Sequence, residues 1–228
     1  MQIKHSNTAM QSGKPTTSPK GAAGLRVLFL SAALAMMPLA VQAADAVTQL
    51  RQFINTVTSA SGSFVQEQSS DQRRTSSQSG VFSFERPGKF RWDVQKPYEQ
   101  LTISDGKRLY QYDPDLAQVT ERSVDASVGA SPAAILFGSG SFDESFVAAS
   151  LPDADNMQWM RATPKQGDAG FEHVDIGFRD GMPARLMLLD AFGQTTRIDL
   201  GGIQSNPTLP ADAFQFQAPE GTDVVRMP

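Results

Sequence analysis

The chain has no cysteine and two histidines, and of these only His173 lies beyond the first 43 residues. Without cysteine or a histidine cluster, no zinc site of several His or Cys ligands can be assembled. Any histidine-based catalytic triad would have to run through His173. That residue falls inside a strand pattern and reads as a strand residue facing solvent. P-loop, dinucleotide fingerprint, G-x-S-x-G elbow and H-E-x-x-H are all missing. Asp105, Asp113 and Asp115 could be imagined as paired carboxylates for glycoside hydrolysis. They sit in Asp-Gly and Asp-Pro-Asp turns, however, and turn chemistry accounts for them. The calcium-loop pattern is not matched. No catalytic residue, metal or cofactor is expected.

Long apolar runs and positive charge are scarce too. The apolar run Val27–Leu39 is too short for a good transmembrane helix. It follows Lys4, Lys14, Lys20 and Arg26 and precedes the small-x-small triplet Val41-Gln42-Ala43. Residues 1–43 therefore read as a secretory signal peptide with a long basic n-region, cleaved near Ala43–Ala44. Met10 is an alternative initiator. The segment takes with it four of the 20 basic residues and none of the 24 acidic ones, so residues 44–228 carry a net charge of −8. That balance argues against nucleic acid as a partner and against docking on an anionic membrane. Residues 44–228 are long enough for one domain standing on its own core, without disulfides. With no cysteine there is no lipobox, so the exported protein should be free in the space beyond the inner membrane. In a cell with two membranes that space is the periplasm.

What the chain does have is alternation. Asp45 can cap a helix whose apolar positions Val47, Leu50, Ile54 and Val57 recur at helical spacing, with Phe53 and Ala60 widening the stripe. The spacing predicts a helix over 46–60, ended by Gly62. From Phe64 the period changes to two. Phe82 and Phe84 share a face, as do Phe90, Trp92 and Val94, and Leu101 and Ile103. Asp105-Gly106, Asp113-Pro114, Asp180-Gly181 and Phe192-Gly193 mark turns. Further strands are predicted at 109–112, 117–121, 157–162, 172–178, 184–189 and 194–200, and a last one at Phe214–Phe216. Ser131-Pro132 through Gly138 reads as a short helix, apolar nearly all round. Residues 141–149 extend the helical region by a turn or two, and Ser69–Ser79 reads as a polar loop.

These elements describe an α+β fold, mostly antiparallel β, of about ten strands with one long helix. Such a meander, covered by so little helix, leaves a wide concave face, and a barrel of that size can enclose a ligand cavity. The alternation sets Arg86 on the face that carries Phe82 and Phe84. A cation there must find partners, because an unpaired buried charge is very costly.

The blocks "SGSFVQEQ" (61–68), "GVFSFERPGKFRWDVQKPYEQLTISDGKRLYQYDPDLAQVT" (80–120), "SPAAILFG" (131–138) and "FQFQAPEG" (214–221) resemble the periplasmic outer-membrane lipoprotein carrier family. The resemblance implies an incomplete, half-open β-barrel with the N-terminal helix and short central helices as a lid over an apolar cavity. It implies a chaperone that takes acylated lipoproteins from an inner-membrane ABC-type release transporter and passes them to an outer-membrane lipoprotein receptor. The arginine of the family's Arg-Pro motif matches Arg86, which would bond to the lid and hold the empty cavity closed. Acyl chains would meet Leu50, Ile54, Val57, Phe64, Phe82, Phe84, Phe90, Trp92, Leu101, Ile103, Ile135, Leu136 and Phe137. A monomer is expected. Two other readings share this fold: a lipid-sensing regulatory module and a carrier of free lipid.

Overall fold

Asp45 starts the first element. Its carboxylate accepts the Thr48 N–H at 3.0 Å, the N-cap arrangement that satisfies an orphan amide of a helix start. Helix α1 (Ala46–Thr56) follows, and Ala46, Gln49, Leu50 and Phe53 form its buried stripe. The computed structural model describes residues 44–70, 73–124, 136, 142–166 and 170–227. All of them belong to one compact unit, residues 42–228. The predicted signal peptide lies outside the described residues.

The strands are β1 (Ser59–Ser70), β2 (Arg73–Glu85), β3 (Lys89–Lys96), β4 (Gln100–Asp105), β5 (Arg108–Asp113) and β6 (Gln118–Ser123). After a short helix α2 (Phe142–Ser145) come β7 (Phe146–Ala154), β8 (Met157–Pro164), β9 (Phe171–Arg179), β10 (Met182–Asp190), β11 (Thr195–Ser205) and β12 (Asp223–Arg226). They make one twelve-stranded sheet in the order β12-β6-β5-β4-β3-β2-β1-β11-β10-β9-β8-β7. Two antiparallel meanders meet where β1 pairs with β11. Only β12, beside β6, pairs in parallel among the described strands. β7 and β12 are the two edges, so main-chain pairing leaves the sheet unclosed. The predicted half-open β architecture is what forms.

Register decides which side chains share a face, because directly opposed residues point the same way. Phe84 opposes Phe90 and Phe82 opposes Trp92. Phe64 opposes Leu200, and Ile198, Leu186, Ile176 and Met160 continue the row across β11, β10, β9 and β8. Phe64 stacks on Trp92 with ring centres 3.7 Å apart, and Phe82 lies 5.9 Å from the same indole. Helix α1 lies over the inner face at β7–β10. Each fully buried Leu, Ile or Phe contributes roughly 1.5–3 kcal/mol, and these rows place the core between α1 and the sheet.

Several elements differ from expectation. α1 ends at Thr56, not near Ala60, because Ser59 and Ala60 already pair with β2 and β11. Gly62 is a strand residue, and a Cβ there would stand 2.8 Å from the Phe82 ring. Of the predicted loop at 69–79, residues 69–70 and 73–79 are paired strand, the far half of β1 and β2, whose polar rungs such as Gln66–Gln78 carry no apolar alternation to read. The helical reading of 141–149 holds only for α2, and Phe146 already starts β7. Phe214 and Phe216 lie in a connection, and the last strand is β12. Of the helix predicted at 131–138, only Leu136 is among the described residues, helical and fully buried.

One close approach is open to test. At Gly80 the β3 main chain draws so near that a Cβ would stand 1.9 Å from the Asp93 carbonyl oxygen. Gly80→Ala should lower stability by about 1–3 kcal/mol, as overpacking against unyielding backbone does. Urea denaturation followed by tryptophan fluorescence reads the change. A midpoint equal to wild type would mean that the β2–β3 pair is spaced otherwise.

Candidate functional site

The site begins where β2 ends. Arg86 follows Glu85, and its own N–H donates to the Thr58 carbonyl at 2.8 Å. The side chain continues the inner-face row of Phe82 and Phe84 and rises toward α1. Its guanidinium carbon lies 5.0 Å from the Phe84 ring centre and 5.8 Å from that of Phe53. Those two rings meet edge to face at 6.2 Å. Arg86 Nε donates to the Val57 carbonyl at 3.1 Å, just past the end of α1. A terminal nitrogen of the same guanidinium donates to the Leu136 carbonyl. One cation thus ties the end of β2, the α1–β1 link and the segment bearing Leu136. Burial pushes the Arg86 pKa below its ordinary value, but an arginine starts high enough to remain charged. Cation–π contact and donation to carbonyls offset the desolvation.

The α1–β1 link is gripped from its other side. Asn206, the first residue after β11, takes a left-handed φ of 53°. Its Oδ1 accepts the Thr58 N–H at 2.8 Å, the Thr58 hydroxyl at 3.1 Å and the Ser59 N–H at 3.3 Å. Its Nδ2 donates to the Thr56 carbonyl at 3.1 Å. Helices end with unpaired carbonyls, and here residues 29 and 150 positions away supply donors for two of them.

Of the predicted site residues, Leu50, Val57, Phe64, Phe82, Phe84, Trp92 and Leu136 are buried in one apolar cluster, and Ile54 and Phe90 pack against it. Leu101 and Ile103 are elsewhere. Ile103 opposes Arg91 and Leu101 opposes Asp93, while Thr102 and Ser104 oppose Trp92 and Phe90. Both therefore project from the other face of the sheet. There they pair with Tyr112 and Tyr110, whose rings meet Phe216 at 5.9 and 5.2 Å. Ile135 and Phe137 lie outside the described residues. The sequence reading had no place for the second meander's share of the cluster, Met160, Val174, Ile176, Phe178, Leu186 and Ile198. Their alternation was visible, but which face it served was not. Asn206 was missed altogether, since nothing local marks it.

Over β1, β11, β9 and β8 the opposite face is polar, in contrast to the apolar patch around Ile103 on β4. Glu67, Arg197 and Asp199 form a chain of ion pairs at 2.9 and 3.0 Å, and Arg161 grips Asp175 at 2.6 Å. His173 stands 4.0 Å from Asp175 and is only partly exposed, more covered than a simple solvent-facing strand residue. The inner face, by contrast, offers apolar surface under a helix whose C-terminal end is clasped by Arg86 and Asn206. That arrangement suits holding long apolar groups. Closed as it is, the face is filled by its own side chains.

Comparison with known proteins agrees with this geometry. Residues 55–217 match the family model described as outer membrane lipoprotein carrier protein LolA. An outer-membrane lipoprotein carrier protein from Bordetella avium is 58% identical over 197 residues, 86% of this chain and 94% of the relative. One from Cupriavidus taiwanensis is 47% identical over 206 residues, 87% of this chain and 98% of the relative. A solved structure of an uncharacterized conserved protein from Thermus thermophilus covers 79% of this chain and 99% of its own. Its TM-score is 0.52 at 12% identity, which shows a common fold alone. With most of its length matched by the family model and by such similar relatives, the chain belongs to the LolA outer membrane lipoprotein carrier family.

Proposed function

We propose that this protein is a periplasmic chaperone that binds the acyl chains of lipoproteins released from the inner membrane and carries them to the outer membrane. The observation that carries the reading is the apolar inner face, closed by Arg86, in a chain whose relatives are named lipoprotein carriers. An inner-membrane ABC-type transporter supplies the cargo and an outer-membrane receptor takes it. Residues 1–43 direct export and are removed near Ala43–Ala44.

Acyl chains cannot cross water unaided, since each CH₂ moved out of an apolar environment costs about 0.8 kcal/mol. A carrier has to hide them and still let them go. In this reading the chains enter between α1 and the sheet, against Leu50, Ile54, Phe64, Phe82, Phe84, Phe90 and Trp92, with Leu136 on the lid side. The filled inner face must open first, so α1 and the Leu136 segment move and Arg86 gives up its bonds to Val57 and Leu136. Those bonds favour the closed, empty state. Cargo affinity is lowered by whatever closure contributes, and release to the receptor then requires no nucleotide.

Two outcomes are expected. Residues 44–228, added to spheroplasts that hold a labelled lipoprotein in the inner membrane, should bring it into the supernatant as a complex, and the unacylated form should not bind. A lipoprotein that stays in the membrane beside an active, compatible transporter would point instead to a lipid-sensing or free-lipid-carrying role. Arg86→Leu should load cargo but pass it to the receptor about tenfold more slowly or worse, because a charge-assisted hydrogen bond is worth roughly 1.5–3 kcal/mol and each 1.4 kcal/mol is about a factor of ten. Transfer at the wild-type rate would remove Arg86 from the mechanism.

A further inference from the structure

The geometry points to Asn206 as the positioning residue of the Arg86 clasp: it holds the α1–β1 link so that the Val57 carbonyl faces the guanidinium. This inference rests on the reading of Arg86 as a latch. The link is two residues long, Val57 and Thr58, between the last residue of α1 and the first of β1. Val57 itself is extended, with φ −101° and ψ 98°. Its carbonyl has Arg86 Nε at 3.1 Å. Asn206 sets this carbonyl's own peptide, whose N–H is that of Thr58, and the peptides before and after it. The Thr56 carbonyl before it takes the Asn206 amide proton at 3.1 Å, and the Thr58 and Ser59 N–H groups after it converge on Oδ1 at 2.8 and 3.3 Å. Asn206 is fixed in turn, since its own N–H donates to the Ser59 carbonyl at 2.7 Å.

An extended link of two residues has enough φ/ψ freedom to turn the Val57 carbonyl away from Arg86. Nothing in its own sequence, Thr56-Val57-Thr58-Ser59, supplies a turn or a cap that would prevent this. The side-chain amide does so through both of its ends, and a carboxylate or a hydroxyl could supply only part of the pattern. While the Thr58 and Ser59 N–H groups stay tied to Asn206, the Val57 carbonyl keeps its direction, so its bond to Arg86 breaks by movement of the guanidinium and not of its acceptor. The guanidinium then meets the same acceptor when the lid closes, which gives the latch a defined resting state. Asn206 touches neither the apolar inner face nor any cargo surface assigned above, and its effect on transfer runs through Val57 and Arg86.

The test uses the full mature protein, loaded with a labelled acylated lipoprotein and mixed with receptor. Asn206→Gly keeps the left-handed backbone and deletes the amide. It should slow transfer several-fold, in the same direction as Arg86→Leu. The double variant should be no slower than Arg86→Leu alone, because the two act on one contact. Asn206→Asp keeps the acceptor for Thr58 and Ser59 and loses the donor to Thr56, so it should fall between wild type and Asn206→Gly. Measurements are made well below each variant's unfolding midpoint, so a merely structural role would move the midpoint and leave the transfer rate alone. Wild-type transfer by Asn206→Gly beside slow transfer by Arg86→Leu overturns the positioning role and leaves the latch standing. Wild-type transfer by both removes latch and positioning together. Additive slowing in the double variant also overturns the inference, since Asn206 would then act by another route.

Discussion

A single guanidinium lying among phenylalanine rings is the constraint around which this molecule is arranged. A cation on an apolar face has to be paired, and neither Phe53 nor Phe84 can accept a hydrogen bond from it in the ordinary sense. Its donors must reach carbonyls, and carbonyls are free where helices end. Arg86 therefore draws to itself the end of α1 and the Leu136 carbonyl. The same need that makes the charge tolerable closes the helix over the sheet. A leucine at this position would fit the rings and require no such ends, and the helix would lose a reason to stay down.

The sheet supplies the complementary condition. Aromatic and aliphatic rows line its inner face, while the outer face carries ion pairs such as Glu67–Arg197–Asp199 at the β1–β11 seam and a separate apolar patch where Ile103 pairs with Tyr110, whose ring meets Phe216. Strand register decides which side chain goes to which face. The inner rows run across strands from both meanders, so the surface under α1 is assembled from the two halves of the chain at the β1–β11 seam. Because β7 and β12 do not pair with each other, the curvature of the sheet is set by side-chain packing and not by a closed ring of hydrogen bonds.

Much of this was readable from residue order. Asp45 as a cap, the period-two runs around Phe82 and Trp92, the Asp105-Gly106 and Asp180-Gly181 turns and the placement of Arg86 beside Phe84 all follow from local chemistry. The rest depends on partners distant in sequence. α1 stops where Asn206 and Arg86 hold it, 150 and 29 positions from their acceptors, so no local stop signal exists to be found and Gly62 was a false one. Alternation groups Leu101 with Ile103 correctly but is silent about which face a strand presents. That requires the register with β3, which opposes them to Asp93 and Arg91. The far half of the β1–β2 hairpin has no apolar alternation because its polar rungs lie beyond the core, and β12 is only four residues long, with a parallel partner in β6 that no local feature marks.

The brevity of the α1–β1 link has a mechanical meaning. Two extended residues span about 7 Å at most, so the C-terminal end of α1 cannot leave the sheet. If α1 opens as proposed, the short link makes that opening a rotation about a fixed corner, not a lifting. α1 has 11 residues and is about 16 Å long at 1.5 Å per residue. A tilt of about 30° would carry its far end some 8 Å, close to the ~8–10 Å that separates packed helices. On the proposed carrier cycle the helix would act as a lever whose fulcrum is the Arg86 clasp: a small tilt at its C-terminal end would be enlarged into a wide gap at Ala46, narrowing steadily toward the arginine.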